Sequence, residues 1–397
     1  MNIADEMAVN TMVAVRRSGN DPMSVSVITE WDEERLARAA LSQVCGAGSL
    51  RLVALLAQWG AVETWHRVCA GDDGWATKAT AVQPESIAVA AQQHGIRFVI
   101  PGDAEWLDAL TVLETSAATV DGLGGLPVGL WVRGPLSLVD AAARAVAIVG
   151  ARAATRYGEV VAQEFASDLA DAGFAVVSGG AYGIDAAAHR GALGVGGVSV
   201  GVYAQGLDTA YPPGNRRLYE QLCAEQVVLS EAPPGVTPTR YSFLARNRLI
   251  AALAKGTIVV EAAVRSGARN TANWTGLLGR ILMAVPGSVM SAASLTPNRL
   301  IRDGEAALVA NAEDALALLA DLGTFSETPF CAAARSFDLL TPEQRTVHEA
   351  LPARGACDIT ELAIASSLAM PKLQAALTTL ELLGLAVQVT DGWRVAR

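Results

Sequence analysis

Residues 174–193 read FAVVSGGAYGIDAAAHRGAL. A short apolar run ends at Ser178, glycines stand at 179, 180 and 183, and an alanine-rich stretch follows. Strands that are apolar throughout belong to sheets covered on both faces, and glycine lets a chain turn sharply or another group approach its backbone closely. The stretch therefore predicts a strand, a bare turn and a helix, the repeating unit of an α/β sheet.

The same alternation continues on either side. AVAIVG, VSVGVYA, VVLSE, TIVVEAA and ILMAVPG supply further buried strands, and helical segments begin near Gly158, Ile184, Asn215, Arg246 and Asn270. The pattern predicts an α/β fold, an extended Rossmann-like doubly wound parallel sheet over 83–318, with ligands outside the carboxyl ends of its strands. Upstream, DEERLARAALSQV and LRLVALLAQWG flank CGAGS and predict a helical module over 29–82, SAM-like or helix-hairpin-helix-like. Such a module either holds a nucleic-acid backbone or is a plain helical cap. Downstream of a linker over 319–335, three helices and a hairpin turning at Asp391-Gly392 fit a winged helix over 336–397. Residues 1–28 are expected to be a loosely ordered extension.

Bulk properties narrow the class. No apolar run in the 397 residues approaches the roughly 18 to 20 needed to span a bilayer, and the N-terminal residues lack the continuous apolar core of a secretory signal. Five scattered cysteines, never in a CxxC pair, argue against a disulfide framework and against a zinc site. The expectation is a cytoplasmic protein with no membrane contact and no bound metal. The net charge of −10 is unevenly distributed: residues 145–300 carry 13 of the 30 Lys and Arg and 10 of the 40 Asp and Glu, a local +3 against −13 elsewhere. The cations gather where the glycines are, and a local patch decides what a polyanion touches first.

Each strand end carries a polar cluster. In VGARAATRYGE, Gly150 permits a sharp turn, Arg152 and Arg156 offer guanidinium groups, and Thr155 stands at a helix approach, a combination suited to phosphate. It is not GxGxxG, and the next strand ends in Ser178 rather than an acid, which disfavours a dinucleotide cofactor; none is expected. Ser178, Gly179 and Gly180 offer a hydroxyl and main-chain N–H groups to a phosphate, or else merely pack tightly. Asp185 and His189, four apart, form a hydrolytic pair or fix local structure. Arg216 and Tyr219 share a helix face, which suits a single strand by charge and ring, or is simply a solvated edge. Arg246, Asn247 and Arg248 open a helix in this reading; one arginine binds an anion or pairs with Glu231 or Glu261. Glu261 followed by Ser266, Gly267 and Arg269 reads as a nucleotide hydrolase element or a second anion-holding turn.

Taken in order, AIVGARAATRYG, VVSGGAYGIDAAAHRGAL, GLDTAYPPGNRRL, LSEAPPG, FLARNRLIAAL, VVEAAVRSGARNTA and NRLIRDGEAALV resemble the DNA-processing protein A family (DprA, also called Smf). The resemblance is dense over 143 to about 310. It implies a non-enzymatic protein that binds single-stranded DNA, forms a homodimer, protects incoming strands in natural transformation and helps load the recombinase RecA. By motif, Arg152 matches the family's VG-x-R loop, Ser178, Gly179 and Gly180 its SGG turn, Arg216 a basic position after YPxxN, and Arg246 to Arg248 its RNR. Thr155 replaces the usual serine, and FLARNR replaces FPxRNR. The third helix of the C-terminal module has one lysine and one glutamate, too few cations for a major-groove reader, so a regulatory or protein-contact role is expected of it. The rival reading is a nucleoside-monophosphate hydrolase with Asp185, His189 or Glu261 as acid or base; a third, weaker, is a duplex-DNA regulator using the winged helix.

Overall fold

The computed structural model describes residues 31–71, 74–115, 119–263, 266–320, 340–353 and 355–396; the expected extension over 1–28 and most of the expected linker lie outside them. The described residues fall into two compact units that divide near residue 325.

The first unit opens with α1 (Glu33–Val44), capped by Asp32, and α2 (Leu50–Ala70), capped by Ser49 and kinked at Gly60. Short α3 (Ala76–Ala79) and α4 (Pro84–Gln93) follow. These helices are not a separate body. Trp31, Phe98 and Trp131 stack in sequence, and Arg35 donates to both oxygens of Asp103 at 2.7 and 2.8 Å, which ties α1 to the segment behind it.

That segment contributes β1 (Ile96–Val99), α5 (Thr111–Thr115), β2 (Leu130–Arg133) and α6 (Leu138–Ala142). Then the regular alternation begins: β3 (Ala145–Val149), α7 (Arg156–Asp171), β4 (Ala175–Ser178), α8 (Ile184–Gly194), β5 (Ser199–Tyr203), α9 (Arg216–Glu225) and β6 (Val227–Ser230). It continues with α10 (Arg240–Leu253), β7 (Gly256–Val259), α11 (Gly267–Leu277), β8 (Ile281–Ala284), α12 (Leu295–Arg302), β9 (Ala307–Leu308) and α13 (Ala312–Leu319). One sheet of nine strands results, in the order β1-β2-β6-β5-β4-β3-β7-β8-β9. The six expected strands are its parallel centre.

Two differences from expectation matter. The sheet is mixed where a parallel one was expected: β1 pairs antiparallel with β2 and β2 antiparallel with β6, while β9 adds a further parallel strand at the other edge. Second, α10 begins at Arg240, not at Arg246, because Thr239 and Ser242 form a reciprocal capping box six residues earlier. The Arg246-Asn247-Arg248 triplet is therefore mid-helix, where no free N–H groups await an anion.

From β3 the chain winds outward through β4, β5 and β6, then returns to β7 beside β3 and winds the other way. Helices cover both faces, α10 and α11 over one apolar cluster and α7, α8 and α13 over the other. The second unit holds α14 (Pro342–Ala350), α15 (Ile359–Ser366), α16 (Met370–Leu382) and an antiparallel hairpin of β10 (Ala386–Val389) and β11 (Gly392–Val395), around its own core of Val347, Leu362, Leu373 and Leu380. The lysine of α16, Lys372, is paired with Glu343 of α14 at 2.6 Å.

Candidate nucleic-acid interface

The glycines after β4 are needed first for packing. A side chain at Gly179 would overlap the guanidinium of Arg246, one at Gly183 would overlap the carbonyl oxygens of Ala151 and Arg152, and one at Gly180 would come within 2.5 Å of the Tyr203 ring. Gly180 and Gly183 also have φ of +67° and +72°, which L side chains resist. Ser178 is fully buried, and its hydroxyl donates to the carbonyl of Ile148 at 2.7 Å, tying β4 to β3. It does not reach an outside ligand. The turn already holds a carboxyl group of the protein itself: the N–H of Ala181 donates to an Asp185 carboxyl oxygen at 3.4 Å, and Gly179 donates to the same group. Burial raises the Asp185 carboxyl above its ordinary range, while Arg246, Arg152 and these N–H groups pull the other way. The expectation that the glycine N–H groups face a phosphate is corrected accordingly.

Beneath the turn lies Arg246. Its Nη1 donates to the carbonyl of Gly179 at 2.8 Å and to that of Val202, so one buried cation joins the ends of β4 and β5. Burial pushes its pKa down to about 10, and Asp185 opposes the shift. Arg248 is fully buried and forms a two-pronged pair with Glu231, while its Nε donates to the carbonyl of Gly125 at 3.0 Å. Asn247 donates to Gly267 O at 3.3 Å and Asn270 Oδ1 at 3.1 Å, and Asn270 in turn reaches Asp121 at 2.8 Å. All three members of the triplet thus brace the fold, and none offers its side chain to a strand at the surface.

Tyr219 requires the same correction. It is 3 % exposed, its hydroxyl donates to Leu207 O at 2.5 Å, and its ring stands edge-on to Tyr203 at 5.1 Å. α9 packs on the sheet through Leu218, Tyr219 and Leu222, which turns Arg216 outward, where it pairs with Glu220 at 2.8 Å. The two residues do not share an accessible face.

The exposed chemistry lies one loop away. Arg152, after Gly150, is exposed and lies over the Phe243 ring at 4.6 Å; Phe243 in turn meets Tyr211 at 5.9 Å, and Tyr211 is 39 % exposed. Asn215 fixes this loop in place by donating to the carbonyls of Gly180 and Ala181 at 3.1 and 3.0 Å, and the Tyr182 hydroxyl accepts from Gly214 N at 3.1 Å. Tyr211 and Phe243 lie inside the motifs YPPGN and FLARN, yet they were not singled out. The available signal was a ring in a polar loop and a ring on the polar side of α10.

At the switch between β3 and β7 the crevice is closed by the chain itself. The Glu261 carboxylate accepts from Thr155 N at 2.9 Å and from its hydroxyl at 2.7 Å, and the same hydroxyl accepts from Gly158 N as the cap of α7. His189 is buried with Nδ1 2.7 Å from Ser199 Oγ, and burial, with Arg246 and Arg190 nearby, pushes its pKa down to about 3. Asp185, His189 and Glu261 do not form an open acid–base group. Further along the edge, Ser266 precedes α11 without a capping bond, Gly267 is exposed, and Arg269 pairs with Glu305 at 2.9 Å. Among the described residues no cluster of three or more His, Cys, Asp or Glu could hold a metal ion, and no helix is long and apolar enough to cross a membrane.

Residues 113–320 match the family described as DNA recombination-mediator protein A. The chain is 42 % identical over 375 residues to a putative DNA processing protein DprA of Mycobacterium tuberculosis, covering 92 % of this chain and 95 % of that one. It is 41 % identical over 195 residues to the DNA processing protein DprA of Streptococcus pneumoniae, covering 48 % of this chain and 66 % of the other. The crystal structure of the S. pneumoniae protein superposes with a TM-score of 0.60 at 28 % identity, over 72 % of this chain and 98 % of that one.

Proposed function

Since the chain belongs to the DNA recombination-mediator protein A family, a family of DNA-processing proteins, we propose that it binds single-stranded DNA along the carboxyl edge of its central sheet. The observation that carries this reading is the exposed Arg152 guanidinium lying over Phe243 with Tyr211 beside it. A planar cation next to accessible rings meets both needs of a single strand, a charge for the phosphate and a π-face for the base. Gly150 lets the loop pack closely at its base, where a Cβ would come within 2.5 Å of Ile184 and 2.8 Å of the Glu261 carbonyl oxygen. Arg216, and Gly267 and Arg269 at the α11 entrance, extend the phosphate-facing edge; the Ser266 hydroxyl is buried and does not face it, while Ser178, Thr155 and the Arg246 triplet keep its loops in place from below.

In this reading the protein shields single strands in DNA uptake or recombination, acts as a homodimer in the cytoplasm without catalysing a reaction, and helps RecA onto the strand. The assembly part is checked by the mass of the protein in sedimentation and by RecA filament growth on a protected strand with and without it. The hydrolase alternative has no structural support, since each of its candidate residues is tied up internally.

The test of strand binding is fluorescence anisotropy of a labelled oligonucleotide and its duplex over a salt series. Single-strand preference that falls with salt is expected. Arg152→Ala should lower the magnitude of the log–log salt slope by about 0.7, the share of one phosphate contact on a single strand. Affinity indifferent to salt, or to Arg152, would overturn the reading.

A further inference from the structure

Tyr182 stands in the turn between β4 and α8, 44 % exposed, just before Gly183, the N-cap of α8. Strand order places this turn between the loop after β3, which carries Arg152, and the loop after β5, which carries Tyr211. Contacts join it to both. On one side the N–H of Ile184 donates to the carbonyl of Ala151 at 3.2 Å, and a side chain at Gly183 would overlap the carbonyls of Ala151 and Arg152. On the other, the Tyr182 hydroxyl accepts from Gly214 N at 3.1 Å, a few residues beyond Tyr211 in the same loop. The ring lies so close to Gly214 that a Cβ there would come within 2.9 Å of its Cε1.

These contacts fix the ring without burying it. Asn215 holds the carbonyls of Gly180 and Ala181, Gly183 is packed against the Arg152 loop, and the hydroxyl anchors the tip. A ring set in place before its ligand arrives loses little entropy when a flat partner covers it. A latch between the two loops does not need a ring, since Asn215 already makes two bonds across the same junction. Tyr182 leads into α8 on one face of the sheet, whereas Phe243 belongs to α10 on the other. Arg152 connects them: its carbonyl meets Gly183 and its guanidinium lies over Phe243. A phosphate held by that guanidinium links two nucleotides, and an aromatic ring stands on each side to receive a base.

Resting on the single-strand reading above, we propose that Tyr182 is a second stacking residue. It takes the base on one side of the phosphate held by Arg152, while Phe243 takes the base on the other.

The experiment uses the full chain and the shortest oligonucleotide that it binds, so that register is fixed. Tyr182→Ala and Tyr182→Leu should each lower single-strand affinity about tenfold at every salt concentration, the loss of one base contact, while Tyr182→Phe stays within about threefold of wild type. A latch alone would rank them differently: all three lose the hydroxyl, so Phe would bind as poorly as Leu. Abasic sites placed one at a time locate the contact. At one position the abasic strand should bind wild type and Tyr182→Ala equally, and at a neighbouring position it should bind wild type and Phe243→Ala equally. 5-Iodouracil at the first of these positions should photocrosslink to Tyr182, read by mass spectrometry of the digested protein.

A Tyr182→Ala protein that melts normally and binds with undiminished affinity would overturn the second stacking position. So would Tyr182→Phe binding as weakly as Tyr182→Leu. A 5-iodouracil scan of the wild-type chain that labels Tyr182 from no position would do the same, and needs no variant to fold. Failure of the parent reading looks different: there Arg152→Ala binds as wild type does, or nothing binds.

Discussion

Gly179 owes its identity to a guanidinium. Arg246 lies against its Cα and cannot withdraw, because the same Nη1 holds the carbonyls of Gly179 and Val202. Gly179→Ala should therefore cost about 1–3 kcal/mol of stability through overpacking, read from urea melts, and should weaken strand binding by shifting the loops above. Gly194, at the end of α8, has nothing within 4 Å of an added Cβ, so Gly194→Ala is the matched control and should leave both properties unchanged or slightly improved. At this scale the SGG motif was legible in the sequence. Its occupant was not, because the Asp185 carboxyl, placed there by the first turn of α8, takes the N–H groups that were expected to face a ligand.

Helix α10 sorts its residues by face. Thr239 and Ser242 cap it, Arg246, Asn247 and Arg248 point inward to strand ends and loops, and Phe243 remains half-buried at the surface under Arg152. A ring that stacks on a base and carries no charge should affect affinity without affecting ion release. Phe243→Ala is expected to lower single-strand affinity by about 1–3 kcal/mol while leaving the salt slope unchanged, the converse signature to Arg152→Ala. Anisotropy at several salt concentrations separates the two. The helix itself was visible from its apolar run, but its start was misplaced by six residues. The Pro-rich loop before it masked the Thr239 cap, and two arginines looked like an entrance.

At the scale of the first unit, one buried ion pair ties together segments that are separate in the chain. Glu231 follows β6, Arg248 sits on α10, and Gly125, which accepts from the same guanidinium, belongs to the segment before β2. Glu231→Ala leaves a fully buried cation without its partner and should destabilise the first unit by about 3–5 kcal/mol in denaturant melts. Replacing both partners by apolar residues of similar volume should recover much of that loss.

Periodicity and turn chemistry are local, so the sequence by itself determined the six parallel strands, the helices between them and the glycine-rich strand ends. It also gave the expectation that ligands meet the carboxyl edge, which follows from strand direction alone. What only the tertiary structure decided was the fate of each polar side chain at that edge. Tyr219 and Phe243 are both rings on helices beside the same loops, yet one is sealed under Leu207 and Tyr203 and the other lies under an exposed arginine. Arg152 and Arg248 are both cations at strand-end loops and helices, yet one is exposed and the other is neutralised by a carboxylate 17 residues away. Whether a charge or a ring is buried depends on partners that chain topology brings together from distant segments, and no window along the sequence contains them.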